Sequence, residues 1–171
     1  MYTVRPATPA DLPVLQEIER SAGQAFRGLG MDEVAEDQPF SLTELAGYQR
    51  AGLAWVLVAP PDRPVGYLVA EPVDGALHIE QASVHADHAR QGAGRLLLDT
   101  LVEYAAGAAV PALTLTAFAE VPWNAPYYRQ LGFQPIPDAE ITPGLREIRR
   151  RETEAGLDRW PRICMRLAIG G

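Results

Sequence analysis

Residues 77–118 read as strand, glycine-containing turn, helix and strand, and this succession limits the folds open to the chain. Leu77–Val84 is a strand that runs into a basic turn containing Gly92 and Gly94. Gln91–Ala106 follows as a helix whose Leu97, Leu98, Leu101, Val102 and Ala105 form one apolar stripe. Ala112–Phe118, apolar and β-branched, is the next strand. Strands joined through a helix are parallel, because antiparallel neighbours need only a tight turn. Upstream, Ala54–Ala59, Val65–Glu71 and Leu77–Val84 are separated by the turns Pro60–Pro64 and Val73–Gly75, which predicts an antiparallel meander. A meander followed by a crossover is mixed α/β (α+β) with a mostly antiparallel sheet. It lacks the strict alternation of a doubly wound fold.

The flanks add further elements. Tyr2–Pro6 is a first strand, and Thr8-Pro9-Ala10-Asp11 opens a helix reaching Ala25, with Thr8 as N-cap and Pro9 at the first helical position. Phe26–Phe40 lacks periodicity and reads as a loop or broken helix carrying Asp32, Glu33, Glu36 and Asp37. Ser41 and Glu44 form a capping box for a helix that Gly52 ends. Later, Ala125–Leu131 is a short helix stopped by Gly132, and Phe133–Ile136 starts a strand. Thr142-Pro143 opens a basic helix running to Gly156, and Ile163–Ala168 is the closing strand.

The length of 171 residues fits a single domain over 1–171. A formal charge of −7 argues against a general nucleic-acid binder. No apolar run reaches the roughly 18–20 residues that span a bilayer, and the N-terminus lacks a signal-peptide pattern. A cytoplasmic protein with neither nucleic-acid nor membrane partner is expected. Cys164 is the lone cysteine. Set among Ile163, Met165 and Leu167, it reads as a buried strand thiol rather than a nucleophile.

The glycine turn carries the first chemical signal. A helix N-terminus presents unpaired N–H groups and the positive end of the macrodipole, which suits phosphate. Gly92 and Gly94 allow close backbone approach, and Arg90 and Arg95 add charge. Tight packing alone would use the same glycines. No Gly-Lys-Ser/Thr closes the loop as a Walker motif requires. Leu97 stands where a dinucleotide fingerprint needs its third glycine. The second signal is Tyr128-Arg129-Gln130-Leu131-Gly132-Phe133, preceded by Trp123-Asn124-Ala125-Pro126-Tyr127.

Taken together, these residues resemble the GNAT superfamily of acetyl-CoA-dependent N-acetyltransferases. That family's loop runs Gln/Arg-x-x-Gly-x-Gly/Ala after a central strand, and a Tyr-x-x-x-Gly-Phe follows the next strand. Both occur here in that order, and the element order resembles the family across nearly the whole chain. The first loop position is Ala89, so Arg90 and Arg95 carry the charge of the loop. Val121 replaces the asparagine often found before the tyrosine helix, and Asn124, closer to it, is the candidate cofactor contact.

The resemblance implies a GNAT-like sheet with helices on both faces. It also implies acetyl-CoA as cosubstrate and direct attack by an amine, without metal or covalent enzyme intermediate. Gln91, Gly92, Ala93, Gly94 and Arg95 would offer N–H groups to the pyrophosphate. Ser83 and Val84 would pair with the pantetheine amides as an added strand does. A splay between that strand and Ala112–Phe118 would admit the cofactor, and an N–H of the Ala82–Val84 segment would polarise the acetyl carbonyl. Glu80 leads as the base, with His85 or a water relay as alternatives. Tyr128 is either the acid for the departing thiolate or a packing aromatic beside Phe133. His78 and His88 read as solvated or structural.

The acceptor side falls to Phe26–Phe40 and Pro137–Pro161, with Phe26, Trp123 and Tyr127 lining a pocket or belonging to the core. Arg146, Arg149, Arg150 and Arg151 with Glu147, Glu152 and Glu154 read as a salt-bridged helix face. The acceptor is a small-molecule or peptide amine, and a homodimer is compatible by analogy. Transfer of another acyl group, or a non-catalytic acyl-CoA sensor, are the alternatives.

Overall fold

A computed structural model describes residues 1–170. Its strands are β1 (Thr3–Pro6), β2 (Ala54–Ala59), β3 (Arg63–Val73), β4 (Ala76–Val84), β5 (Ala112–Phe118), β6 (Gln134–Pro135) and β7 (Arg162–Ala168). They follow the order β1-β2-β3-β4-β5-β7-β6. β1–β2, β2–β3, β5–β7 and β6–β7 pair antiparallel, while β4 and β5 pair in parallel at Leu77↔Leu113 and His78↔Thr114. The crossover therefore has the predicted sense, with α4 (Gly94–Gly107) between the two strands. The chain divides into two compact units, Met1–Glu71 with Glu80–Leu101, and Pro72–Ile79 with Val102 onward.

In the first unit, α1 (Leu12–Gly23) and α3 (Leu42–Arg50) cover one face of β2 and β3. Leu12, Leu15 and Ile18 of α1 and Leu45 of α3 pack with Val56 and Val58 of β2 and with Tyr67 and Val69 of β3. The alternate residues Trp55, Leu57, Leu68 and Ala70 are buried as well, so β2 reads as a continuous apolar run. α1 begins three residues later than the sequence predicts, after a 3-10 turn at Pro9–Asp11. The reason is Pro13, which has no N–H to give the Pro9 carbonyl. The Leu12 N–H takes that carbonyl in a tighter turn.

Thr8 is the N-cap, as its spacing predicts. The Asp11 carboxylate accepts the Thr8 N–H at 2.7 Å and the Arg5 guanidinium at 2.8 Å. That arginine holds the Asp11 carboxyl below the usual carboxylate range. Phe26–Phe40 is a broken helix: a 3-10 turn to Leu29, then the short α2 (Asp32–Ala35). The capping box is present, with Glu44 N–H on Ser41 Oγ at 3.1 Å and Ser41 N–H on Glu44 Oε1 at 3.0 Å.

In the second unit, β5 and β7 pair from Ala112↔Ala168 to Phe118↔Arg162. α6 (Pro143–Glu154) sets Leu145 and Ile148 against the buried Cys164, and burial raises that thiol's pKa. The strand expected at Phe133–Ile136 shrinks to Gln134–Pro135, since Pro135 and Pro137 lack the donors a longer ladder needs. The arginine-rich helix is the salt-bridged face its pattern predicts: Arg150 meets Glu147 and Glu154, and Arg149 meets Glu152 and Asp158. Glu152 also takes Arg162 at 2.8 Å and the Thr116 hydroxyl, linking α6 to the sheet. Among the described residues no helix is long and apolar enough to cross a membrane.

Candidate active site

The first unit gathers most of the predicted residues on one continuous stretch: the end of β4, a 3-10 turn at Ala86–His88, a loop, and the start of α4. The helix starts at Gly94, not at Gln91. Arg90 (φ 61°) and Gly92 (φ 74°) are left-handed, and neither conformation can enter a right-handed helix. Non-glycine residues rarely adopt this backbone, so Arg90 is held there by its surroundings.

Ala93, just ahead of α4, has no side-chain oxygen to cap the first turn. The N–H groups of Gly94 and Arg95 have no carbonyl within the helix to bond. A Cβ on Gly94 would stand 3.3 Å from Val84 Cγ2, so glycine brings the helix start against the end of β4. Helix-start N–H groups, left-handed turns and a close strand–helix approach fit a phosphate-bearing cofactor. Arg90 is exposed, and Arg95 is exposed with a loose contact to Asp99 at 3.9 Å.

On β4, Glu80 and Val84 are half-buried and Ser83 is buried, its hydroxyl accepting Gln81 Nε2 at 2.7 Å. His85 N–H donates to the Val65 carbonyl of β3 at 2.7 Å. His85 Nδ1 accepts the Asp87 N–H at 3.2 Å. A neutral ring then carries its proton on Nε2 and has no free acceptor nitrogen. His78 and His88 are structural. His78 is buried, bonded through Nδ1 to Thr114 Oγ1 at 2.8 Å, and burial lowers its pKa to about 4.

Two loop contacts lay beyond the sequence. The Tyr2 hydroxyl lies 2.8 Å from His88 Nδ1 and 3.0 Å from Gln91 Oε1, and Ser21 Oγ accepts the Ala86 N–H at 3.0 Å. Tyr2 is 86 positions from His88, a separation that leaves no local pattern to read.

The second unit holds Asn124 and Tyr128 around α5 (Ala125–Gln130). Asn124 precedes the helix. Its Oδ1 accepts the Phe118 N–H at 2.7 Å, and its carbonyl accepts the Tyr128 N–H at 3.0 Å. The side-chain oxygen is thus committed to joining β5 to α5. The Tyr-x-x-x-Gly-Phe run is a Schellman stop: Phe133 N–H donates to Tyr128 O, and Gly132 N–H to Arg129 O, both at 3.1 Å. Gly132, at φ 104°, supplies the reversal. The Tyr128 ring meets the fully buried Phe133 edge-on at 5.6 Å. Burial, with Tyr127 adding to it, pushes the Tyr128 phenol up to about 12. Among the described residues its hydroxyl has no hydrogen-bond partner.

A separate cavity of about 670 Å³ in this unit, lined by Asp74, Thr114, Gln134, Thr142 and Arg166, contains none of the predicted residues. On the acceptor-side segments, Phe26, Trp123 and Tyr127 are half-buried, and Asp32, Glu33, Glu36 and Asp37 are exposed.

The chain matches the acetyltransferase (GNAT) family over residues 15–133, most of its length, and belongs to that family. It transfers an acetyl group from acetyl-CoA to an amine.

Solved structures share the fold. The ribosomal-protein-S18-alanine N-acetyltransferase from Escherichia coli is 23% identical, with a TM-score of 0.71 over 100% of this chain and 96% of that one. The PaiA N-acetyltransferase from Thermoplasma acidophilum, solved with coenzyme A, is 12% identical, with a TM-score of 0.76 over 98% and 99%. A phosphinothricin acetyltransferase from Sinorhizobium meliloti, solved with AcCoA, is 20% identical, with a TM-score of 0.69 over 99% and 89%.

Proposed function

We propose that residues 1–171 act as one acetyltransferase domain that moves acetyl from acetyl-CoA to a small-molecule or peptide amine by direct attack. The loop from Arg90 to Arg95 binds the pyrophosphate through its N–H groups, with both arginines adding charge. Asn124, its oxygen engaged, contributes its amide NH₂ to the cofactor. Ser83 and Val84 form the strand edge for pantetheine. Because His85 N–H faces β3, strand alternation turns the backbone groups of Val84 to the other edge, which favours Val84 over Ser83.

The amine nitrogen attacks the thioester carbon, and the carbonyl electrons move to oxygen. An N–H of the Ala82–Val84 segment stabilises that oxyanion. Glu80 takes the proton the amine must lose, directly or through water. It is favoured over His85, whose Nδ1 is already an acceptor. As the tetrahedral centre collapses, the C–S bond breaks, and the Tyr128 hydroxyl donates its hydrogen toward the departing sulfur. A thiol of ordinary pKa about 8.5 leaves readily, so this assistance is modest.

The observation that carries the catalytic part of the proposal is the Tyr128 hydroxyl: neutral at physiological pH and unengaged by the protein. A cytoplasmic setting and a homodimer belong to the same proposal, the former in keeping with a single unpaired thiol. Release of free CoA from acetyl-CoA across a panel of small amines and peptides tests the function. Turnover with at least one amine is expected. Binding of acetyl-CoA with no turnover across the panel would leave a sensor instead.

A further inference from the structure

We infer that Tyr2 is a positioning residue for coenzyme binding, clasping the loop that follows β4. The inference rests on that loop being the pyrophosphate site. Tyr2 lies outside the residues matched to the family, and nothing in the loop's own sequence points to it. Its single hydroxyl hydrogen goes to Gln91 Oε1 at 3.0 Å. The contact to His88 Nδ1 at 2.8 Å is then one in which Tyr2 accepts, which sets the neutral His88 proton on Nδ1. The Tyr2 ring also meets His88 edge-on at 5.7 Å.

One phenol therefore ties the 3-10 turn to the loop three residues later. Between these anchors lies Arg90 in a left-handed backbone, and immediately after them Gly92 in another. Such a backbone is unfavourable for arginine and persists only where contacts on either side hold it. The second hold is Ser21 of α1 on the Ala86 N–H. Tyr2, just ahead of β1, and Ser21 of α1 thus fix the loop from outside before any ligand arrives, which lowers the ordering cost of binding.

The test uses the whole chain, with coenzyme A and S-acetylpantetheine, which lacks the pyrophosphate, as probes. Tyr2→Phe keeps the ring and removes only the hydroxyl. It should raise the Kd for coenzyme A and the KM for acetyl-CoA about 3- to 10-fold, the equivalent of one or two hydrogen bonds. It should leave kcat, the melting temperature of the free protein and the KM for S-acetylpantetheine unchanged. In the double variant with Gln91→Ala, the two effects should be less than additive, because both remove the same bond. Arg90→Ala serves as the independent check on the pyrophosphate site. If Arg90→Ala weakens coenzyme A and Tyr2→Phe does not, the clasp is refuted and the site stands. If neither variant affects coenzyme A, the pyrophosphate assignment fails and the clasp fails with it. A fall in melting temperature with unchanged KM would reduce Tyr2 to a purely structural role.

Discussion

Tyr128 combines two properties that burial seldom leaves together: its ring is anchored on Phe133 while its hydroxyl is unengaged. Removing the hydroxyl should affect chemistry more than packing. Tyr128→Phe is expected to lower kcat about 10- to 100-fold at saturating acetyl-CoA, the low end for a general acid because thiolate is a good leaving group. With its pKa raised to about 12, the phenol stays protonated beyond the range of an ordinary tyrosine. The kcat–pH profile should therefore show no loss assignable to Tyr128 near pH 10. Glu80 has the opposite signature. An alkylamine of pKa about 10.4 is nearly all protonated at neutral pH and needs a base there. Glu80→Gln should depress kcat/KM for the amine most at neutral pH, with the deficit narrowing as pH rises. A pH-independent deficit would remove Glu80 from the base role.

At the scale of elements, the two signature motifs are local devices of backbone geometry. The loop ahead of α4 uses left-handed residues, and Ala93, just before the helix, offers no side-chain acceptor to its first N–H groups. The run after α5 uses a Schellman stop to fix the tyrosine three positions before the helix cap. Gly132 is required there at φ 104°, and a Cβ would also stand 3.3 Å from Leu167 Cδ1. Gly132→Ala should cost about 1–2 kcal/mol of stability through left-handed strain. Because Phe133 and Tyr128 share that stop, kcat should fall as well, with KM for acetyl-CoA little changed. Thermal unfolding and steady-state kinetics on the same preparation check both.

For the molecule as a whole, buried ionisable groups set the pH range of stability. His78 ordinarily titrates at 6.5 and is held near 4 by burial, so the fold stabilises its neutral form. Its contribution is fully present above pH 6.5 and is lost as pH falls through about 4. Melting temperature should decline over that interval, and His78→Gln, which can keep a hydrogen bond to Thr114, should flatten the decline. A slope unchanged in the variant would assign acid sensitivity to other groups.

What the sequence determined by itself was whatever neighbouring residues decide. The meander and crossover followed from short turns and one long amphipathic helix, and the capping box at Ser41 and Glu44 from spacing alone. The family was legible because both of its motifs are contiguous runs. The boundaries that moved did so for backbone reasons, at Pro13 and at the left-handed Gly92. Only tertiary structure decided which atoms are already engaged. Asn124 spends its oxygen on Phe118 and Gln91 its carbonyl on Tyr2. Whether the Tyr128 hydroxyl is unengaged, and whether Tyr2 reaches the loop, depends on residues far apart in the chain. Spacing along a strand or helix carries no record of such contacts.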